Sequence, residues 1–156
     1  MNSIQEVIAS AEQHCVDRGV RLTTKRKQVL EGLVRSESAL SAYELADYCS
    51  KTFGKTMAPM SVYRILDFLE EEHLAHKLNV ANKYVACSHI VCDHEHGVPQ
   101  FLICGRCHKV KEVVIPKAAM TAIKKTVNEA DYTLLTPKLE INCLCETCSR
   151  DAATEN

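Results

Sequence analysis

Four stretches in the first half of the chain place apolar residues three and four positions apart, which is the spacing of one buried helix face. The first stretch covers residues 2–17. The second begins at Thr23 or Thr24, either of which can cap a helix. Ser41 opens the third, and Pro59 opens the fourth in the first-turn position that proline tolerates. The pattern predicts four consecutive amphipathic helices.

Two short extended runs follow the fourth predicted helix. They are HKLNV and KYVACS, and Ala81 and Asn82 lie at the junction between them. Short runs joined by a turn in this way are typical of a β-hairpin. Four helices followed by a hairpin is the order of a winged helix-turn-helix module, so we predict a DNA-binding domain over residues 1–86.

The second half of the chain mixes extended and helical patterns. The runs QFLICGRC, KVKEVVIP and PKLEINCL predict three strands, and residues 117–130 have helical spacing. Residues 87–99 are rich in His, Cys, Asp, Gly and Pro and are predicted to form a hinge. We predict an α+β protein in which residues 100–150 form an α/β domain and residues 151–156 form a flexible tail.

Composition and charge narrow the class of protein. The formal net charge is -1, so a DNA-binding surface requires a local basic patch. No apolar run is long enough to cross a membrane, and the first residues lack the basic start and apolar centre of a signal peptide. We therefore expect a cytoplasmic protein with no membrane partner. Nine cysteines in such a protein indicate metal or redox chemistry, because reducing compartments disfavour stable disulfides.

Two CxxC pairs define the strongest candidate site. Cys104 with Cys107, and Cys145 with Cys148, each place two thiolates on one side of a tight turn. Two such turns supply four sulfurs for a tetrahedral zinc ion and leave no open position for a substrate. We predict a structural zinc site rather than a thioredoxin-like redox pair. Cys143 remains a competing ligand, because spacing does not separate it from Cys145.

A second group of potential ligands runs from the predicted hairpin to the second of the three predicted strands. These ligands are His76, Cys87, His89, Cys92, His94, His96, His108 and Glu112. Mixed nitrogen, sulfur and oxygen ligands suit zinc, and the thiolate disfavours magnesium or manganese. Two neutral imidazoles, one thiolate and one carboxylate carry less negative charge than four thiolates. We therefore expect this site to bind zinc more weakly and more exchangeably.

Candidate DNA contacts lie on the second, third and fourth predicted helices. The basic patch comprises Arg21, Lys25, Arg26, Lys27 and Arg35. Cations of this kind contact phosphates and position a protein on the duplex. Ser61, Tyr63 and Arg64 lie at the exposed N-terminal part of the fourth helix, from which a recognition helix reads bases. Arg64 can donate two hydrogen bonds to guanine, and Tyr43 can contact the backbone or a base.

Five segments carry a family resemblance, namely RLTTKRKQVLEGL, SAYELAD, SVYRILDFLEEEHLAHK, FLICGRCHKVKE and LCETC. Together they resemble the ferric uptake regulator family, and within it the zinc-responsive branch. The resemblance covers residues 5–148. It implies a homodimeric repressor of zinc-uptake genes, with residues 100–150 as its dimerisation domain, rather than an enzyme. When zinc is bound, this repressor binds operator DNA with dyad symmetry. It also implies two zinc ions per subunit, one structural at the two CxxC pairs and one regulatory.

The same resemblance implies roles for individual residues. The regulatory ligands that it implies are His76, Cys87, His96 and Glu112. His96 is preferred because it lies nearest the following strand, but His94, His89 and Cys92 remain alternatives. Arg64 and Tyr43 correspond to DNA-reading residues. Cooperative binding of neighbouring dimers stays open, because Ser50 stands where some relatives carry an arginine.

Other functions remain as alternatives. One is a family member that senses iron, manganese, nickel or peroxide, although a Cys87 ligand favours zinc. Another is a zinc-ribbon interaction module or zinc store that never binds DNA. A zinc hydrolase or deaminase is disfavoured, because the chain has neither HExxH nor HxE followed by a PCxxC turn.

Overall fold

The computed structural model describes residues 2–79, 82–92 and 98–154 of the chain. It divides into two compact units, Met1–His94 and Glu95–Asn156, and the division falls inside the segment predicted as a hinge. Helices dominate the first unit and a mixed sheet lies in the second, so the predicted α+β fold class is confirmed. None of the helices in the described ranges combines the length and apolar character needed to cross a membrane.

All four helices predicted for the first unit are present. They are α1 (Ile4–Asp17), α2 (Thr24–Arg35), α3 (Ala42–Phe53) and α4 (Pro59–Glu71). Ser3 and Ser41 each form a reciprocal capping box with the glutamate three residues later, which satisfies backbone donors at the starts of α1 and α3. Thr23 caps α2, and Pro59 occupies the first turn of α4.

The apolar faces of these helices form one core. Leu30 of α2, Leu45 of α3 and Leu66 of α4 are completely buried within it. Gly32 permits a close approach of α2 and α3, because a Cβ atom there would lie 2.9 Å from the ring of Tyr48. The core therefore fixes α4 against α2 and α3 and leaves its polar face exposed.

A β-hairpin follows α4 and completes the winged helix. Strands β1 (Ala75–Leu78) and β2 (Lys83–Ala86) pair antiparallel, with His76 opposite Val85. Tyr84 is buried and also forms a bridge with Leu40, whose backbone exchanges two hydrogen bonds with it. This bridge attaches the hairpin to the segment before α3. Ala81, predicted at the turn, lies outside the described residues.

The second unit is built around a three-stranded sheet. Its elements are β3 (Gln100–Cys104), β4 (Val110–Val113), α5 (Lys117–Glu129), β5 (Glu140–Cys143) and α6 (Glu146–Thr154). The strand order is β4-β3-β5, with β4 antiparallel and β5 parallel to the central strand. The connection between the parallel strands carries α5, as a crossover between parallel strands requires.

A buried glutamine locks the two parallel strands together. Gln100 is completely buried, and its side-chain amide donates a 2.7 Å hydrogen bond to the carbonyl of Pro137. Its side-chain oxygen accepts the backbone N–H of Leu139. These contacts hold the segment before β5 on β3 in a register that places Cys104 opposite Cys143. The two CxxC sequences thereby begin at the same end of the sheet.

The predicted flexible tail over residues 151–156 is wrong for its first four residues. Helix α6 continues to Thr154, while residues 155–156 lie outside the described range. The second CxxC turn starts this helix, because the N–H of Ser149 donates a 2.8 Å hydrogen bond to the carbonyl of Cys145. Arg150 and Glu146, one turn apart, form an ion pair on its surface. The second CxxC turn therefore runs directly into α6, which the periodicity of the sequence did not show.

Candidate metal centre and nucleic-acid interface

Four cysteine sulfurs converge in the second unit. The Sγ atoms of Cys104, Cys107, Cys145 and Cys148 all lie within 4.8 Å of one another. The sulfurs of Cys107 and Cys145 are 3.6 Å apart. Zinc–sulfur bonds of about 2.3 Å place the sulfurs of a tetrahedral site about 3.8 Å apart, so this donor set fits zinc. The predicted structural ligands are therefore brought together.

Strand ends and tight turns place these sulfurs. Cys104 is the last residue of β3, and its N–H donates to the carbonyl of Lys109 across the turn to β4. Gly105 donates a 2.9 Å hydrogen bond to the carbonyl of Cys143, which ties the first turn to the end of β5. Cys145 follows that strand, and Cys148 lies buried in α6. The chain itself preforms the geometry.

The pKa values of Cys104 and Cys148 are shifted in opposite directions. Backbone N–H groups of Cys107, Cys145 and Arg106 lower the pKa of Cys104 to about 5. The Cys145 thiol, followed by burial and the remaining thiols, raises the pKa of Cys148 to about 12. One sulfur is thus stabilised as a thiolate, whereas the last resists ionisation beside its neighbours. A divalent cation supplies the positive charge that lets all four ionise.

Cys143 and Cys145 differ in position because β5 ends between them. Cys143 lies within the strand, and its thiol faces the carbonyl of Ile141 at 3.5 Å. The strand stops there, so alternation does not continue to Cys145, whose sulfur joins the cluster instead. Spacing alone did not separate the two residues, because it assumed an extended backbone through both.

Two predicted regulatory ligands lie together in the first unit. His76 is on β1, and Cys87 follows β2 and is buried. A donor atom of the imidazole lies within 4.8 Å of Cys87 Sγ. The N–H of Cys87 donates a 2.9 Å hydrogen bond to the carbonyl of Leu74, which extends the hairpin pairing by one residue and fixes the thiol beside His76. The hairpin therefore places a nitrogen donor and a sulfur donor close enough to share one metal ion.

The other members of this ligand group lie outside the hairpin. Glu112 lies on β4 of the second unit, opposite Phe101. Cys92 is exposed, and its N–H donates to the carbonyl of His89. His94 and the preferred His96 lie outside the described residues. The choice among the histidines of this segment stays a prediction.

The predicted DNA readers lie at the N-terminal ends of α3 and α4. Ser61 and Arg64 are exposed on α4. Tyr43 of α3 is 66% exposed, and its ring meets that of Tyr63 edge to face, with 6.5 Å between centroids. Tyr63 itself packs partly against the core. This contact gives Tyr43 a defined position beside the start of the predicted recognition helix.

The basic patch divides into cations that are paired and cations that are not. Lys27 lies 2.6 Å from a carboxylate oxygen of Glu12, and Arg35 lies 2.9 Å from that of Glu31. Lys25 is exposed, and no ion pair involves it within residues 2–79 and 82–92. Two of the five predicted cations thus form ion pairs within the protein. Lys25 is free to approach a phosphate.

Sequence patterns did not single out a basic residue on the wing. Lys83 of β2 lies 3.2 Å from Glu44, whose other carboxylate oxygen accepts the N–H of Ser41 at 2.7 Å. The hydrogen bond from Ser41, followed by the Lys83 ammonium, lowers the pKa of Glu44. This link ties the wing to the first turn of α3, next to Tyr43. The partners are 39 positions apart, and only the hairpin register brings them together.

The fold and the sites define a class: a winged-helix protein whose second unit carries a four-cysteine zinc-type site. The model of the ferric uptake regulator family matches residues 17–142. The chain belongs to this family. The match covers the winged helix, the hinge segment and the sheet of the second unit.

Comparison with individual relatives gives a narrower similarity. The zinc uptake regulation protein of Escherichia coli (strain K12) is 42% identical over 108 residues, or 69% of this chain. The alignment spans 61% of that protein's length. A solved structure described as a zinc uptake regulator complexed with zinc and DNA is 32% identical, with a TM-score of 0.82 over 98% of this chain and 99% of that one. A holo XcZur crystal structure is also 32% identical, with a TM-score of 0.75 over 95% and 99% of the two chains.

Proposed function

We propose that this protein is a zinc-responsive transcriptional repressor that binds operator DNA as a zinc-loaded dimer and represses zinc-uptake genes. The observation that carries the proposal is the similarity, over 98% of the chain, to a zinc uptake regulator complexed with zinc and DNA. Support comes from the exposed Arg64 and Tyr43 beside the start of α4 and from the four-cysteine cluster. A regulator of this kind is a binding protein in the cytoplasm and performs no catalysis.

Two zinc ions per subunit are proposed, with separate roles. The four cysteines hold a structural ion, because four thiolates close the coordination shell. The regulatory ion is assigned to the ligands that the family resemblance implies. These ligands are His76, Cys87, His96 and Glu112. Support within the first unit comes from the placement of His76 beside Cys87 on the hairpin.

Regulation follows from a preference of zinc for one conformation. A metal shifts an equilibrium only as far as it binds one state more tightly than the other. The two recognition helices of a dimer must lie about 34 Å apart to enter successive major grooves. We propose that the regulatory ion favours the conformation with this spacing, because its full ligand set exists only there. Zinc-free protein then binds DNA weakly.

A homodimer is proposed as the DNA-binding form. Support comes from apolar side chains that the second unit leaves exposed, among them Val114, Leu135 and Ile141, the last two at 92% and 38% exposure. Helix α5 has an apolar stripe but no buried residue within the described chain. A second copy can cover such surfaces. The operator is then expected to have dyad symmetry.

The proposed DNA contacts divide into readers and positioners. Arg64, with Ser61 and Tyr63, is assigned to the base edges of the major groove, and Tyr43 to the backbone or a base beside it. Lys25 is assigned to a phosphate, which it can approach from the start of α2. Arg26 was also predicted to contact DNA, but its guanidinium is held by the Phe68 ring and the carbonyl of Arg21.

Arg64→Ala is expected to lose sequence discrimination more than general DNA affinity. Removing a bidentate contact to guanine costs about 1–3 kcal/mol at that base pair, or about 5- to 150-fold. The measurement begins with selection of a duplex from a random-sequence pool by the zinc-loaded wild-type protein. Affinities for that duplex and for a scrambled duplex are then compared by gel shift.

Lys125→Ala provides the matched control, since it removes one exposed positive charge from α5 in the second unit. It is expected to bind both duplexes as the wild type does. If Arg64→Ala retained the wild-type preference for the selected duplex, Arg64 would not be a base reader. If selection recovered no dyad-symmetric duplex at all, the proposed function itself would be wrong.

A further inference from the structure

Arg26 has unusual surroundings for a predicted phosphate ligand. Its guanidinium carbon lies 3.6 Å from the centre of the Phe68 ring, which is van der Waals stacking distance. One of its terminal nitrogens donates a 2.6 Å hydrogen bond to the carbonyl of Arg21. The side chain is partly buried, whereas the neighbouring Lys25 is exposed. The guanidinium is therefore held between α4 and the segment before α2.

The stacking partner belongs to the recognition helix. Phe68 packs partly against the core and follows Arg64 by four positions, so the two lie on the same side of α4. Contact with Phe68 therefore bears directly on the orientation of the base-reading side of the helix. Arg26 lies on α2, and the contact fixes one helix against the other.

The position of Arg26 in α2 is electrostatically unfavourable unless something offsets it. Residues 25 and 26 are both cations in the first turn of the helix, and that turn contains no acid. Cations at a helix N-terminus oppose the helix dipole. Stacking on an aromatic ring and donating to a carbonyl both stabilise the charge of Arg26 there. A phosphate contact alone would stabilise it only when DNA is bound.

We propose that Arg26 is a positioning residue that fixes α4 for base reading through Phe68, and that it is not a phosphate ligand. This inference rests on the proposed function, because it concerns how the same DNA-binding surface is held. It separates two neighbouring cations by role: Lys25 neutralises a phosphate, while Arg26 acts through the recognition helix.

Salt dependence distinguishes the two roles. Each phosphate that a protein neutralises contributes about 0.9 to the slope of log affinity against log salt concentration. Removal of a phosphate ligand lowers that slope, whereas removal of a positioning residue weakens binding at every salt concentration. The stack itself is expected to contribute about two- to fivefold to the folding equilibrium constant of the first unit.

The experiment uses zinc-loaded, full-length Arg26→Gln, Phe68→Leu, the double variant and Lys25→Gln. Denaturant unfolding is measured without DNA. Arg26→Gln is expected to lower the free energy of unfolding of the wild-type protein but not that of the Phe68→Leu variant. Binding to the selected duplex is then measured across salt concentrations. Arg26→Gln and Phe68→Leu are expected to weaken binding by similar factors with the wild-type slope, whereas Lys25→Gln lowers the slope by about 0.9.

Either of two results would overturn the inference. One is a slope for Arg26→Gln that falls as far as that of Lys25→Gln. The other is additivity of the Arg26 and Phe68 substitutions in unfolding. Failure of the proposed function is a separate result, because the wild-type protein would then bind no duplex in preference to a scrambled one.

Discussion

Cys145→Ser is expected to unfold the second unit and to remove one tightly bound zinc ion per chain. This unit has few other sources of stability. Its described residues bury only one large apolar side chain, Phe101, together with Gln100 and two of the zinc-site cysteines. Small folds with so little core rely on metals or disulfides. Structural zinc contributes about 10–16 kcal/mol of binding free energy at neutral pH in zinc-finger peptides, which far exceeds the stability of such a unit.

Two measurements test this prediction. Metal content after extensive dialysis is expected to fall by one zinc per chain, and amide exchange in β3 and β5 is expected to lose its protection. Cys143→Ser is the matched control, because it removes a thiol two residues away that lies outside the four-sulfur cluster. It is expected to keep both zinc and protection. The reverse pattern would make Cys143 the ligand and would contradict the arrangement of the two CxxC turns.

Cys87→Ser is expected to abolish the zinc-dependent gain in DNA affinity while leaving the four-cysteine zinc in place. Loss of a thiolate ligand is expected to lower the zinc affinity of the regulatory site by at least about 100-fold. Even changes to residues that only hydrogen-bond to a metal ligand lower metal affinity by about 10- to 100-fold. Zinc then no longer favours the DNA-binding conformation. The contrast with Cys145→Ser is sharp, because Cys87 lies next to a hairpin whose own pairing and packing do not need the metal.

The measurement pairs zinc titration with binding to the selected duplex. Cys87→Ser is expected to remain folded, to retain one zinc per chain, and to bind the duplex equally with and without added zinc. Cys92→Ser is the comparison, since Cys92 is an exposed thiol five positions away. If Cys92→Ser lost zinc response and Cys87→Ser kept it, the regulatory thiolate would be Cys92.

Local patterns were sufficient to predict most of the fold. The helix starting at Ser41 was predictable because its capping box involves Glu44, only three residues away. The tight turns of the CxxC pairs were predictable because two intervening residues fix each turn. In both cases the residues that make the determining contact are close together in the sequence. The local sequence pattern was therefore enough to predict the feature.

Features set by distant contacts were not predictable in the same way. The choice between Cys143 and Cys145 depends on where β5 stops, and that end is fixed by pairing with Cys104. The stack of Arg26 on Phe68 joins residues on different helices, so the sequence showed only a cation in a basic patch. Helix α6 begins from the folded zinc-ligand turn, and its short polar sequence gave no periodic signal.

The proposed function requires that zinc control the recognition of a specific duplex. The most direct measurement is fluorescence anisotropy of the selected duplex, titrated with protein that keeps its structural zinc, at buffered free zinc from depletion to saturation. Affinity is expected to rise about 10- to 100-fold as the regulatory site fills, with manganese, iron or nickel giving a smaller rise. Equal affinity with and without regulatory zinc, or a larger response to another metal, would contradict the account.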